Sequence, residues 1–212
     1  MMQHYRSNHP NHVHQLVASV SKHYYAGKDG LLKYQDKPFE TSLAKLVGAS
    51  RSHMVIYSLR DHYSKLFYAE VGFGPGMPSM RAFLARAWRP KPDQPDLPLC
   101  GVPELMLIPK TAQAAFPDVV TDIEHMGVGL VDVASGFQSG IQDINTVENS
   151  IGHYIGKPID QVVSYLPTLS GWRAKYKKST KEKSKADVWR EHVPAIRLLP
   201  KSWAETPAAE PV

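Results

Sequence analysis

The sequence has one cysteine among its 212 residues, and this scarcity excludes two classes of protein. A single thiol cannot build the disulfide framework of a small secreted domain, nor a zinc module that needs two or four cysteines. Cys100 is then a small buried or loop thiol. We therefore expect a soluble protein of a reducing compartment, the cytoplasm.

Long apolar runs are also missing. No stretch approaches the roughly 18 consecutive apolar residues of a membrane-spanning helix, and residues 1–12 lack the apolar segment of a signal peptide. We expect no membrane partner. Hydrophobic residues still make up 42% of the chain, which is enough to bury the core of one domain.

The positive charge of the chain is concentrated in one place. The whole sequence carries a formal net charge of +5, from 25 Lys and Arg against 20 Asp and Glu. Residues 173–190 hold eight of the basic and two of the acidic residues, so this segment alone is +6 (8 − 2). The remaining 17 basic and 18 acidic residues sum to −1, so the body of the protein is close to neutral.

The hydrophobic pattern predicts an α/β domain. Apolar and β-branched residues indicate a first strand within 13–20 and a hairpin of two strands, 53–60 and 65–73, joined by a short polar turn. Helix and strand then alternate, with a helix from Pro78, a strand at 104–108, a helix at 116–127, a strand at 128–134 and a last helix with Ile144, Val147, Ile151 and Ile155 inward. This order is typical of a mixed sheet covered by helices.

We place this domain at residues 8–170. A polar leader, residues 1–7, precedes it. Residues 171–212 have the composition of a basic linker followed by a partly disordered tail.

Four segments in this order resemble the catalytic core of retroviral-type integrases and the related bacterial insertion-sequence transposases. They are residues 10–25, 55–71, 101–111 and 126–151. The resemblance implies a ribonuclease H-like fold, a mixed five-stranded sheet flanked by helices, followed here by a basic C-terminal extension. It also implies chemistry in which three carboxylates hold two divalent cations, Mg²⁺ or Mn²⁺, that activate the attacking oxygen and stabilise the leaving oxygen.

Two of the three carboxylates that the resemblance implies are replaced. On the first strand, Val17 stands where the family has Asp after a His-Gln-apolar sequence. At the end of the central strand, Pro109 stands where the second Asp belongs. Glu148, in a Val-Glu-Asn setting, matches the third acid, which in the family begins the final helix.

The replacements predict that the metal site has been lost. Mg²⁺ requires oxygen ligands in near-octahedral geometry, and one carboxylate holds at most a loosely bound, mostly hydrated ion. Val17 has no side-chain lone pair, and Lys110 places a positive charge beside Pro109. We therefore expect no bound metal or other cofactor and no strand cleavage, and we treat Glu148 as a catalytic remnant. Whether the protein is an enzyme stays open.

Glu148 has a second interpretation. It shares the apolar stripe of its helix, and a buried carboxylate without a partner is costly. It could instead lie at the edge of the stripe and reach solvent, or pair with Lys110. Among other acids, we expect Asp61 to accept hydrogen bonds from turn amides and Asp143 to lie near a helix N-terminus.

His12 and His14 alternate along the first strand and would share one of its faces. Without a cysteine nearby we expect no zinc site there. Basic residues in the C-terminal segment are expected to contact nucleic-acid phosphates with little sequence preference and with strong salt dependence. Tyr176 and Trp189 either stack on bases or pack on their own domain. The predicted nucleic-acid-binding residues are Arg173, Lys175, Lys177, Lys178, Lys181, Lys183 and Lys185.

Three functions are consistent with these observations. The first is a catalytically inactive integrase-like protein that binds DNA, or associates with a full-length integrase or transposase or with a second copy of itself, and regulates a mobile genetic element. The second is an active metal-dependent nuclease or strand-transfer enzyme whose acidic site is rebuilt from Glu148, Asp132 and Asp61, with Mg²⁺ or Mn²⁺ as cofactor. The third is a protein-interaction module without a role on nucleic acid.

Overall fold

A computed structural model of the chain describes residues 7–46, 49–74, 77, 79–132, 139–169 and 183–204. Six strands in these ranges form one sheet. Their bounds are β1 Val13–Ala26, β2 Leu32–Tyr34, β3 Ser52–Asp61, β4 Phe67–Phe73, β5 Leu105–Ile108 and β6 Gly129–Asp132.

The sheet is mixed, with the order β4-β3-β1-β5-β6. Strand β1 pairs antiparallel with β3, and β3 pairs antiparallel with β4, so the predicted hairpin is confirmed. On the other side, β5 is parallel to β1, and β6 is parallel to β5. This arrangement is consistent with a ribonuclease H-like α/β fold. The five predicted strands are present, and the short β2, which pairs with the end of β1, is a sixth strand that was not predicted.

Seven helices accompany the sheet in the described ranges: α1 Met80–Trp88, α2 Lys110–Ala115, α3 Pro117–His125, α4 Ser139–Ile151, α5 Ile159–Leu169, α6 Lys185–His192 and α7 Lys201–Ala204. Ser79 begins α1 by accepting a hydrogen bond from the Ala82 amide at 3.1 Å. Gly127 follows the end of α3 with φ at +70°, a backbone conformation that glycine adopts without strain. None of the described helices is both long and apolar enough to cross a membrane.

Two hydrophobic cores lie on opposite faces of the sheet. Alternate residues of a strand point to opposite faces, and β3 sends Val55 and Tyr57 to one core and Met54 and Ile56 to the other. Helices α1 and α3 contribute to the first core, and α4 and α5 contribute to the second. On this second face, α4 therefore lies directly over the central strands.

The described C-terminal residues belong to the first core. Trp189 of α6 is 2% exposed and Trp203 of α7 is 3% exposed, and the Trp203 ring lies 5.7 Å from that of Trp88. A capping box between Ser184 and Asp187 begins α6. Within the predicted linker and tail, Lys185–His192 is therefore a packed helix, and Trp189 is buried in its own domain. Tyr176 lies outside the described residues.

Candidate functional site

Val17 and Pro109 lie at the same level on neighbouring strands. Strands β1 and β5 are parallel and pair Val13 with Leu105 and Gln15 with Leu107. The same register continued two residues places Val17 opposite Pro109. Val17 packs against the core beneath α4 and α5, and Pro109 directly precedes α2. The sheet therefore brings the two replaced positions together, although neither side chain carries a metal ligand.

Helix α4 closes over Val17. A Cβ atom built on Gly140 would lie 2.2 Å from Val17 Cγ2 and 3.1 Å from Gln15 Nε2, so any larger residue at position 140 would clash. The backbone of α4 therefore rests directly on β1 at the first replaced position.

Glu148 lies away from this contact. Helix α4 begins at Ser139, about two and a half turns before Glu148, so Glu148 lies well inside the helix rather than at its start, where the resemblance implies the third acid. Eight residues separate Glu148 from Gly140, which corresponds to about 12 Å along the helix axis. The Glu148 carboxylate accepts a hydrogen bond of 2.6 Å from the buried Ser21 hydroxyl of β1. Together with burial, its charge raises the pKa of Tyr24.

Two of the alternative partners proposed for Glu148, Lys110 and Asp61, do not meet it. Lys110 is exposed, and no ion pair joins it to Glu148 among the described side chains. Asp61 pairs in register with His14, seven positions before Ser21 on β1, which puts Asp61 about 20 Å from Glu148. Asp61 accepts hydrogen bonds from the Ser64 amide and hydroxyl, both at 2.6 Å, which confirms its expected turn role. The Asp132 side chain lies outside the described atoms.

The acid that does lie near the start of α4 is Asp143. It is 1% exposed and forms a two-pronged ion pair with Arg60 of β3, with Arg60 Nε donating to Asp143 Oδ2 at 2.7 Å and Nη2 donating to Oδ1. Burial raises the pKa of the Asp143 carboxyl, and the Arg60 guanidinium opposes that shift. Asp143 is therefore one half of a buried ion pair, which the helix-terminus interpretation missed.

Two lysines surround this pair. Lys185 Nζ donates to the Lys65 carbonyl oxygen at 3.4 Å, which joins the start of α6 to the turn after β3. Burial and the positive charge of Arg60 lower the pKa of both Lys65 and Lys185. We call Arg60, Lys65 and Lys185 the basic cluster. Asp143 lies near both lysines, and Asp61 lies near Lys65. The three cations of the cluster thus meet two carboxylates, so one positive charge is in excess (3 − 2).

The predicted nucleic-acid-binding residues divide into three groups. Lys185 belongs to the basic cluster. Lys183 is exposed and forms a 2.5 Å ion pair with Glu191. The remaining predicted residues, Arg173, Lys175, Lys177, Lys178 and Lys181, lie outside the described residues.

The donor set does not fit a pair of divalent cations. Across the described ranges, no three His, Cys, Asp or Glu side chains form a group that could hold a metal ion. Asp143 already receives two N–H donors from Arg60, and the guanidinium lies where a cation would otherwise balance the carboxylate. Arg60 was not singled out from the sequence because its partner is 83 positions away in the chain.

His14 uses both ring nitrogens inside the protein. The Trp88 indole, which can only donate, gives its N–H to His14 Nδ1 at 3.2 Å, so the proton of the neutral ring is on Nε2. Nε2 lies 2.9 Å from the Asn11 side-chain oxygen and donates a hydrogen bond to it. Burial, with Lys91 nearby, lowers the pKa of His14 to about 3. His14 is therefore a neutral core residue.

Acid is expected to destabilise the fold through His14. The unfolded chain takes up a proton on His14 near the ordinary pKa of about 6.5, whereas the folded chain does not. The stability that neutral His14 contributes is therefore present above pH 6.5 and is lost as the pH falls toward 3. Between pH 7 and pH 5 the loss is about 2 kcal/mol. Urea unfolding of the protein and of His14→Gln at both pH values measures it. The variant should lose about 2 kcal/mol less over this interval, and equal losses would contradict the assignment.

Comparisons with known proteins add little to this geometry. No family model matches the chain, and no curated protein matches it. Among solved structures, the chain is similar to a chain of the simian T-cell lymphotropic virus intasome in complex with PP2A regulatory subunit B56 gamma, determined by cryoEM, with a TM-score of 0.46 and 14% identity. The match covers 98% of this chain and 62% of that chain, so this protein spans less than two thirds of its neighbour's length.

Proposed function

We propose that this protein is a catalytically inactive integrase-like protein that binds DNA and regulates a mobile genetic element, alone or with a full-length recombinase. The observation that carries the proposal is the state of the three positions implied by the resemblance. Val17 of β1 is level with Pro109, the residue after β5, and neither side chain has a ligand atom, while Glu148 bonds to Ser21 instead of joining them. The fold is retained in this proposal while its metal chemistry is not.

The Arg60–Asp143 ion pair supports the loss of chemistry. A guanidinium is permanently charged and binds a carboxylate in a fixed two-pronged geometry, so it neutralises Asp143 without any metal. An arginine at this place also repels a second cation.

The distribution of cations supports DNA binding. The basic segment, residues 173–190, ends in α6, where Lys185 joins the basic cluster at the start of α4. Helix α6 packs into the first core through Trp189, so Lys185 is held beside the cluster. Phosphates neutralised by such residues release counterions, and the affinity then falls steeply with salt.

We expect duplex DNA to bind through the basic segment. In a fluorescence anisotropy titration of a labelled duplex of about 30 base pairs, replacing Lys175, Lys177, Lys178 and Lys181 together by Gln should weaken binding at least about tenfold. The slope of log affinity against log salt should become shallower by up to about 4. The control replaces Lys28, Lys110, Lys157 and Lys201, four exposed lysines elsewhere, and should change the affinity less than about threefold.

The same protein is then incubated with supercoiled plasmid and Mg²⁺ or Mn²⁺. We expect no more nicking than in the sample without protein. Metal-dependent nicking that Glu148→Gln abolishes would overturn the inactive assignment and favour the enzyme. Equal effects of the two lysine sets would instead remove the basic segment from the proposal.

A further inference from the structure

A group of aromatic rings and one guanidinium lies where β1, β2 and β3 meet. Tyr25 of β1 is level with His53 of β3, and Phe39 packs edge-on against both rings, at centroid distances of 5.7 Å and 4.4 Å. The Arg51 guanidinium lies over the rings of Tyr25 and Phe39, with Cζ 5.2 Å from the Tyr25 ring centre and 5.5 Å from that of Phe39. We call Tyr25, Phe39, Arg51 and His53 the Arg51 platform.

Arg51 is exposed and keeps most of its hydrogen-bonding capacity. Its Nη1 donates to the Gln35 side-chain oxygen at 2.8 Å, which holds the guanidinium in place. Arginine has five N–H donors, and no other side-chain hydrogen bond or ion pair of Arg51 occurs in the described part of the chain. The platform therefore presents a planar cation that rests on aromatic rings. The other face of this guanidinium and its free N–H donors are accessible to solvent.

The surroundings of the platform are positively charged. Residues 22–53 contain six Lys and Arg and three Asp and Glu, a sum of +3 (6 − 3). Outside this segment and residues 173–190, 11 basic residues face 15 acidic ones, a sum of −4. Lys22, Lys37 and Lys45 are exposed and form no ion pair with any described residue. The near-neutral body of the chain thus contains a second basic surface.

This surface is remote from the basic cluster. His53 and Arg60 lie near opposite ends of β3, about 23 Å apart along the strand. A ligand held at one surface does not need the other. The platform thus requires its own explanation.

We infer that the Arg51 platform binds an unpaired nucleic-acid strand. Guanidinium planes and aromatic side chains stack on the faces of splayed bases, and these faces are accessible only where the bases are unpaired. Lys22, Lys37 and Lys45 would neutralise the phosphates on either side of the stacked base. The inference goes beyond the proposed function because it requires neither the basic segment nor the contact between α4 and β1.

The test removes the basic segment from the measurement. In the protein that carries Gln at Lys175, Lys177, Lys178 and Lys181, binding of a fluorescein-labelled oligothymidylate of about 12 nucleotides is followed by anisotropy. Replacing Arg51 by Ala should weaken binding about 5-fold or more. Arg51→Lys keeps the charge but loses the planar stacking group, so it should weaken binding while leaving the salt dependence unchanged.

The matched control is Tyr34→Ala. Tyr34 is 42% exposed and pairs in register with Tyr24 on β1. Tyr24 and Tyr25 point to opposite faces of the strand, so Tyr34 is outside the platform and its loss should change the affinity less than about twofold. In a second measurement, a 4-thiothymidine placed in the strand should cross-link to Tyr25 or Phe39. No binding by the four-Gln protein, or equal affinities for the parent, Arg51→Ala and Arg51→Lys, would overturn the platform. If the protein binds the oligothymidylate but not duplex DNA, the platform inference holds and only the proposed function is contradicted.

Discussion

Replacing Arg60 by Met is expected to lower the free energy of unfolding by about 3–5 kcal/mol at pH 7. The substitution leaves the Asp143 carboxylate 1% exposed and without its only salt-bridge partner among the described residues. Burial already raises the pKa of Asp143, so the carboxyl takes up a proton more readily once Arg60 is gone. The loss should therefore shrink as the pH falls toward 4. Urea unfolding followed by tryptophan fluorescence measures it.

The double variant Arg60→Met with Asp143→Leu separates the charge from the packing. Replacing both partners of a buried ion pair by apolar residues is often neutral or stabilising, so this protein should be about as stable as the parent. Lys33→Met, which breaks the exposed pair between Lys33 and Asp29, should cost less than about 1 kcal/mol. Equal costs for Arg60→Met and Lys33→Met would contradict the buried character of the Arg60 pair.

Replacing Trp189 by Ala is expected to lower the free energy of unfolding by about 3–5 kcal/mol. The Trp189 side chain is 2% exposed in the core that also contains Phe83 and Trp88, so its removal leaves a cavity that the surrounding residues fill only in part. Thermal unfolding measured by circular dichroism gives the change. The effect is large because α6 is part of the folded body.

Glu191→Ala on the same helix is the control for Trp189. Its carboxylate pairs with the exposed Lys183, and no other ion pair of Glu191 occurs among the described residues, so the loss should stay below about 1 kcal/mol. A Trp189→Ala protein as stable as the control variant would show that residues 183–204 contribute little to the core. The segment would then be the appendage that its composition suggests.

Local patterns were sufficient for the central strands. The alternation of β3, whose successive residues enter opposite cores, follows from a period of two that is visible without any tertiary contact. The hairpin at Asp61 and the stop at Gly127 are likewise local. The short β2, with three residues, carries too few side chains for a periodic signal, and it forms because it pairs with the end of β1.

The candidate site was only partly predictable. The level placement of Val17 and Pro109 agrees with the resemblance, because strand register follows from the buried face of each strand. Of the four residues predicted to face inward from the last helix, Ile144, Val147 and Ile151 enter the second core, whereas Ile155 follows the end of α4 and is 49% exposed. The pairing of Arg60 with Asp143 gave no signal, since residues 83 positions apart interact only after the fold is formed.

The sequence by itself determined which atoms are available. A valine and a proline cannot supply oxygen ligands in any fold, and the concentration of charge in residues 173–190 is a property of the chain. Only the tertiary structure decided what neutralises Asp143, which group bonds to Glu148, and that Trp189 and Trp203 enter the core. The reason is physical: side-chain chemistry is carried by each residue, whereas burial and ion pairing depend on partners that long-range packing brings together.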